Sequence, residues 1–161
     1  MASKRLETAK RYINHFATLD KQVLDSLLAD DFVHQFAPSS FDSLEAFDKQ
    51  GMLDHYSRLH PILHGFPLTA KEYIESESSN QVTVWATSQT KFRDEVKDGG
   101  IASEDWLFEG EYIFLLRMDE SGERITRTVE FVDSKATVDR LMVLMKRAKE
   151  NSERGTQARA N

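Results

Sequence analysis

The chain contains no cysteine. Disulfide frameworks, thiolate metal centres and cysteine nucleophiles are therefore excluded. It also lacks a basic surplus, with a formal net charge of −6 at pH 7. That balance argues against a nucleic-acid binder, which needs clustered Lys and Arg for phosphate contacts. It equally disfavours an anionic membrane surface. No apolar stretch approaches transmembrane length, and the N-terminal string MASKRLETAK has no apolar run behind it. Neither a membrane span nor a signal peptide is expected, so the cytosol is the expected compartment. The sequence has no Gly-rich phosphate cradle, no dinucleotide fingerprint, no serine nucleophile elbow and no internal repeat.

What remains is ordinary for a globular domain. A length of 161 residues suits one domain with a sizeable core. Apolar residues at helical spacing (Leu6, Ala9, Ile13, Phe16) predict a first helix, and KQVLDSLLADDF predicts a second. FVHQFAP alternates and stops at Pro38, which reads as a strand. Asp42 with Glu45 resembles a capping pair that opens a third helix, ending at His60 before Pro61. Four strands follow: LTAKEYIES, QVTVWATSQTKF, WLFEGEYIFLLRM and RITRTVEFV. Asp133 or Ser134 can cap a last helix carrying Val138, Leu141, Met142 and Met145 on one face. Helices grouped on one side of an antiparallel sheet make an α+β domain, and a strongly bent sheet of this kind encloses a pocket. The domain is expected to span residues 1–148, with 149–161 as a frayed polar tail.

Several side chains are candidates for that pocket. Trp106, Phe108, Gly110, Tyr112 and Phe114 share one face of their strand. Tyr112 then carries a hydroxyl into apolar space, as a core tyrosine bonded to a carbonyl or as a functional group. His34 lies on the face of Phe32 and Phe36, as a core histidine or a proton carrier. Glu130 shares its face with Thr126, Thr128 and Val132, whereas Ile125, Val129 and Phe131 opposite make the more apolar face. By alternation alone, Glu130 could be a solvated glutamate or a partner of Arg127 or Arg117. Turned inward, it would suit acid–base work. His55 and Tyr56 are expected to line the pocket from the third helix, and Trp85 could line it or pack outside, since the two faces of its strand do not decide. His60 and His64 have i, i+4 spacing, but Pro61 breaks the helix between them, so no metal is expected.

The element order and two strings, KRYINHFATLDKQVLDSLLADDFVHQFAP and YIFLLRMDESGERITRTVEFVDSKAT, resemble the NTF2-like superfamily, in particular its SnoaL-like cyclases and ketosteroid isomerases. HYSRLHPILHGFP and VEFVDSKAT look most like small cofactor-free cyclases and isomerases of fungal meroterpenoid and indole-alkaloid pathways, including brevianamide-type semipinacolases. This resemblance implies a cone-shaped fold and acid–base groups at Tyr112 and Glu130, with Glu130 inside. Two positions depart from the pattern: Phe108 stands where a tyrosine is expected, and Ala37 or Pro38 where an arginine is expected. The ketosteroid-isomerase comparison places Tyr12 at the oxyanion-hole tyrosine and Phe36 near the general base, a role phenylalanine cannot fill.

The expected protein is thus a cofactor-independent isomerase or cyclase acting on a bulky apolar natural-product intermediate. Glu130, Tyr112 and His34 are its expected catalytic groups. Tyr12, Phe36, His55, Tyr56, Trp85, Trp106, Phe108, Phe114 and Thr128 are expected to bind substrate. A homodimer is expected through the outer sheet face, which carries Leu107, Ile113, Leu115, Val129 and Phe131. The alternatives are a noncatalytic NTF2-like module for small molecules or proteins, and a dehydratase that would pair a histidine with an aspartate in the cone.

Overall fold

The computed structural model describes residues 1–41 and 46–160. Helix α1 (Lys4–His15) starts where the Ser3 hydroxyl accepts the Leu6 amide, and its inner face buries Ala9, Tyr12 and Ile13. Helix α2 (Lys21–Leu27) is capped by Asp20, which accepts from the amides of Gln22 and Val23. It ends sooner than its apolar period predicts. Leu28 turns extended and opens strand β1 (Leu28–Ala37), because pairing with the last strand outweighs local helix preference.

A short strand β2 (Phe47–Asp48) pairs with β1 and leads into helix α3 (Lys49–Leu59), capped by Asp48. The predicted Asp42–Glu45 capping pair lies outside the described residues. The helix ends at His60 before Pro61, as expected. Strands β3 (Leu63–Gly65), β4 (Leu68–Ser76), β5 (Gln81–Phe92), β6 (Phe108–Met118) and β7 (Ile125–Val132) complete the sheet. Trp106, predicted within a strand, belongs to a 3₁₀ turn over Ser103–Trp106.

The path through the seven-stranded sheet runs β2-β1-β7-β6-β5-β3, with β4 on β5. It is mixed rather than wholly antiparallel, since β1 runs parallel to β7. No hairpin joins those two strands, so nothing local fixes their direction. The sheet curls into a half-barrel, with α1 against β4 and β5 and α3 against β1. This α+β architecture is the NTF2-like cone. Asp133 caps α4 (Ser134–Ala136), a π turn follows over Thr137–Leu141, and α5 runs from Met142 to Ala160. Residues 149–160, expected as a frayed tail, thus continue a helix. Arg147 and Asn151 hold α5 to Asp98 at 2.6–2.8 Å. Those bonds keep the Asp98 carboxyl well below its usual range. Among the described residues, no helix is long and apolar enough to cross a membrane.

Candidate active site

Strand alternation sets which side chains meet inside the cone. From β1 come Phe32, His34 and Phe36, and from β6 come Phe108, Gly110, Tyr112, Phe114 and Leu116. The β7 contribution depends on a bulge. Ile125 pairs with Met118 while Arg127 pairs with Arg117, so one extra residue on β7 resets the alternation. Ile125, Thr128, Glu130 and Val132 are buried as a result, and Phe131 is 49% exposed. The apolar face read by simple alternation does not exist as one face. Its Ile125 is inside, and its Phe131 is outside.

Across the strands, Phe36, Glu130 and Phe114 form one row, and His34, Thr128 and Leu116 the next. A cavity of about 230 Å³ lies over these rows. Its wall takes Phe16 and Leu19 from the start of the chain, Met52, His55, Tyr56 and Leu59 from α3, and Phe36, Phe66, Tyr112, Glu130 and Val132 from around the sheet. Thr137, Leu141, Met142 and Met145 close it from the C-terminal segment. Glu130 is the one carboxylate in this wall among the described residues.

Glu130 is only 8% exposed, and its Oε2 lies 3.2 Å from Nε2 of the wholly buried His34. The contact has the distance of an ion pair without the alignment of a hydrogen bond. Both His34 ring nitrogens, the Tyr12 hydroxyl and the Thr128 hydroxyl are buried without an aligned partner. Unpaired buried polar atoms are rare in folded proteins, and one of these, His34 Nε2, lies 3.2 Å from the carboxylate. Burial, and then the Glu130 charge, push the Tyr12 phenol up, with the Thr128 hydroxyl opposing. Tyr112 is pushed up by burial, opposed by the Ser88 hydroxyl and reinforced by Glu130. His55 is lowered to about 4 by burial, with the charges of Arg58 and His34 adding to the effect.

The Tyr112 hydroxyl is turned along its own strand. A Cβ on Gly110 would stand 2.5 Å from it, so glycine leaves the space it occupies. The Gly110 amide donates to Ser88 Oγ at 3.1 Å, and the Ser88 hydroxyl donates to Tyr112 Oη at 3.3 Å. The Tyr112 proton is left free to be donated elsewhere. Tyr112 and Glu130 therefore share the cavity without a direct hydrogen bond between them among the described residues.

Comparison with known protein families gives no match, and no curated protein matches either. Solved structures do match. BvnE pinacolase from Penicillium brevicompactum superposes with a TM-score of 0.74 at 19% identity, covering 91% of this chain and 96% of that one. AusH from Aspergillus nidulans gives 0.67 at 22% identity, covering 81% and 84%. A putative SnoaL-like polyketide cyclase from Shewanella putrefaciens gives 0.68 at 16% identity, covering 89% and 99%. The chain has the SnoaL-like fold. At these identities the likeness establishes the architecture, and the chemistry must be argued from the side chains.

On this SnoaL-like frame the predicted residues divide. Glu130, Tyr112, Phe36, His55 and Tyr56 line the cavity. His34, Tyr12, Thr128, Phe108 and Phe114 are buried and do not line the cavity, and His34 contacts Glu130 instead. Trp106 packs edge-on against Phe92 at 5.3 Å, away from the cavity. Trp85 is misplaced in the prediction. Val84 and Ala86 point inward, which turns Trp85 outward, where it is 39% exposed and donates to Glu111 at 2.6 Å. Of the histidines, His60 bonds the Leu19 carbonyl and His64 is exposed, while His55 stacks on Phe47. Among the described residues no group of three or more His, Asp or Glu is arranged to hold a metal.

Sequence reasoning missed His15 and Ser88. Ser88 was accessible, since Val82, Val84, Ala86, Ser88 and Thr90 alternate on one face of β5. His15 had no local signal, because its role comes from contact with α3.

Proposed function

We propose that the chain is a cofactor-independent isomerase or cyclase that acts by general acid–base catalysis on a largely apolar natural-product intermediate, in the cytosol. One observation carries this reading: a single carboxylate among the described residues, Glu130, faces a largely apolar cavity with His34 behind it. A pure binding site has no use for a buried carboxylate of this kind, which costs free energy to desolvate. In the proposed reaction, Glu130 takes a proton from the substrate and returns it at a second position. Tyr112, kept protonated by burial, donates a hydrogen bond to an oxygen on which charge develops. His34 is a positioning residue that holds the carboxylate. The aromatic wall keeps the substrate folded for bond migration or ring closure.

The fold likeness to a pinacolase and to a putative polyketide cyclase supports this class of chemistry. The cavity is smaller than the usual 300–1,000 Å³ of ligand sites. A bulky substrate would displace Met142 and Met145, whose unbranched side chains repack readily. A dehydratase on the same fold is the second reading, favoured by the His34–carboxylate pair, with Glu130 taking the place expected of an aspartate.

A homodimer belongs to the same proposal. Trp85, Ile113 and Phe131 form one row across β5, β6 and β7 on the outer face, 37–49% exposed. Leu107, just before β6, is also exposed. Fluorescence titration with apolar ligands, followed by product analysis with candidate intermediates, separates an enzyme from a carrier. Binding without any turnover would favour the carrier.

A further inference from the structure

Tyr56 faces the cavity from α3, and its hydroxyl is tied to a second buried histidine that the proposed reaction does not use. His15 Nε2 lies 2.9 Å from Tyr56 Oη, and His15 Nδ1 contacts the Tyr12 carbonyl oxygen. The two rings stack at 10° with centroids 5.4 Å apart. Tyr12 is among the last four residues of α1, whose carbonyls lack a partner further along the helix. A carbonyl can only accept, so His15 Nδ1 must carry the proton. Burial lowers His15 to about 4, so the ring is neutral at pH 7 and Nε2 carries a lone pair. The Tyr56 proton is then committed to His15, and Tyr56 offers only lone pairs to anything else. Burial raises the Tyr56 phenol, with Tyr12 and the Glu130 charge adding to the effect.

The two tyrosines of the cavity are therefore polarised in opposite senses. The chain Gly110 N–H to Ser88 to Tyr112 leaves Tyr112 a free proton. The chain Tyr56 to His15 to the Tyr12 carbonyl leaves Tyr56 a free acceptor. We propose that Tyr56 is a specificity-determining residue that accepts a hydrogen bond from a hydroxyl or N–H group of the substrate, with His15 fixing its polarity. Since Tyr112 donates, the substrate class is a hydroxy-carbonyl compound, its carbonyl toward Tyr112 and its hydroxyl toward Tyr56. This rests on the reading of the cavity as the substrate site, but it does not require Glu130 to move a proton.

The test has two parts on the full chain. Long-range ¹H–¹⁵N correlation of the His15 ring reads the tautomer without any ligand. The expected result is a proton on Nδ1, with an Nε2 resonance that moves toward a free imine nitrogen in Tyr56→Phe. A proton on Nε2 would overturn the proposal, because Tyr56 would then be the acceptor of that bond and free to donate. The second part compares binding of 2-naphthol and 2-methoxynaphthalene. Wild type is expected to favour the naphthol about five- to tenfold, the value of one hydrogen bond. Tyr56→Phe is expected to abolish that preference while leaving methoxynaphthalene affinity within about twofold. Glu130→Gln should retain it. Loss of the preference in Glu130→Gln with retention in Tyr56→Phe would overturn the proposal. Failure of both probes to bind would overturn the cavity as a ligand site, whereas turnover lost with the preference intact would concern Glu130 alone.

Discussion

Removing the imidazole behind Glu130 is a perturbation whose size can be worked from the structure. His34 is fully buried among Phe32, Phe36 and Phe47, with ring centroids 4.6–6.4 Å away. Its Nε2 lies 3.2 Å from the Glu130 carboxylate. In His34→Phe the new ring suits its aromatic neighbours, so the main loss is the polar partner of a nearly buried carboxylate. Breaking a fully buried pair costs about 3–5 kcal/mol. Glu130 keeps 11% side-chain exposure toward the cavity, so a loss of about 1–3 kcal/mol is expected. Glu130→Leu should cost a similar amount by leaving His34 unpaired. The double variant replaces both polar groups with apolar ones and should cost less than the sum, with a coupling of about 1–2 kcal/mol. Urea denaturation of the four proteins measures this, with slopes checked for constancy. Single costs that add to within about 0.5 kcal/mol would refute the pairing.

Three further outcomes follow from the same geometry. Gly110→Ala places a methyl group 2.5 Å from the present Tyr112 Oη, so the ring must move. Turnover should fall and stability drop by about 1–3 kcal/mol, read by kcat and by thermal melting, with unchanged values counting against the Tyr112–Ser88 placement. His15 and His55 are both lowered to about 4 from 6.5, so their stabilising contribution is complete above pH 6.5 and is lost as pH falls toward 4. The unfolded chain binds the extra protons in that window, and melting temperature should fall between pH 7 and pH 4.5; a flat profile would contradict it. Light scattering at micromolar concentration should report a dimer that Phe131→Lys converts to a folded monomer, and a wild-type monomer would reject the outer sheet face as an interface.

Much of the architecture was legible because strand alternation and turn chemistry are local. β4 and β5 have the predicted bounds, and Asp133 caps α4 at the start of the C-terminal helical segment. The errors arise where distant pairing decides. Leu28 leaves the helix to join β7, and β1 runs parallel to a strand about a hundred residues away. The site shows the same division. The inward placement of Tyr112 follows from its strand face and that of Glu130 from the family resemblance, and the bulge on β7 explains why alternation alone points the other way for Glu130. The relation of His34 to Glu130, and of His15 to Tyr56, depends on side chains that meet only after folding. The faces of its strand leave Trp85 undecided between pocket and exterior, and burial of Val84 and Ala86 on the inner face decides for the exterior.

The central claim is that Glu130 carries the proton in the cavity, and the turnover of Glu130→Gln tests it most directly. The amide keeps the volume and hydrogen-bonding capacity of the carboxylate but cannot accept the proton. With the physiological substrate at saturation, kcat should fall about 10²–10⁴-fold while ligand affinity and melting temperature stay close to wild type. A Glu130→Gln protein that turns over at the wild-type rate would contradict the account, since no other carboxylate lines the cavity among the described residues.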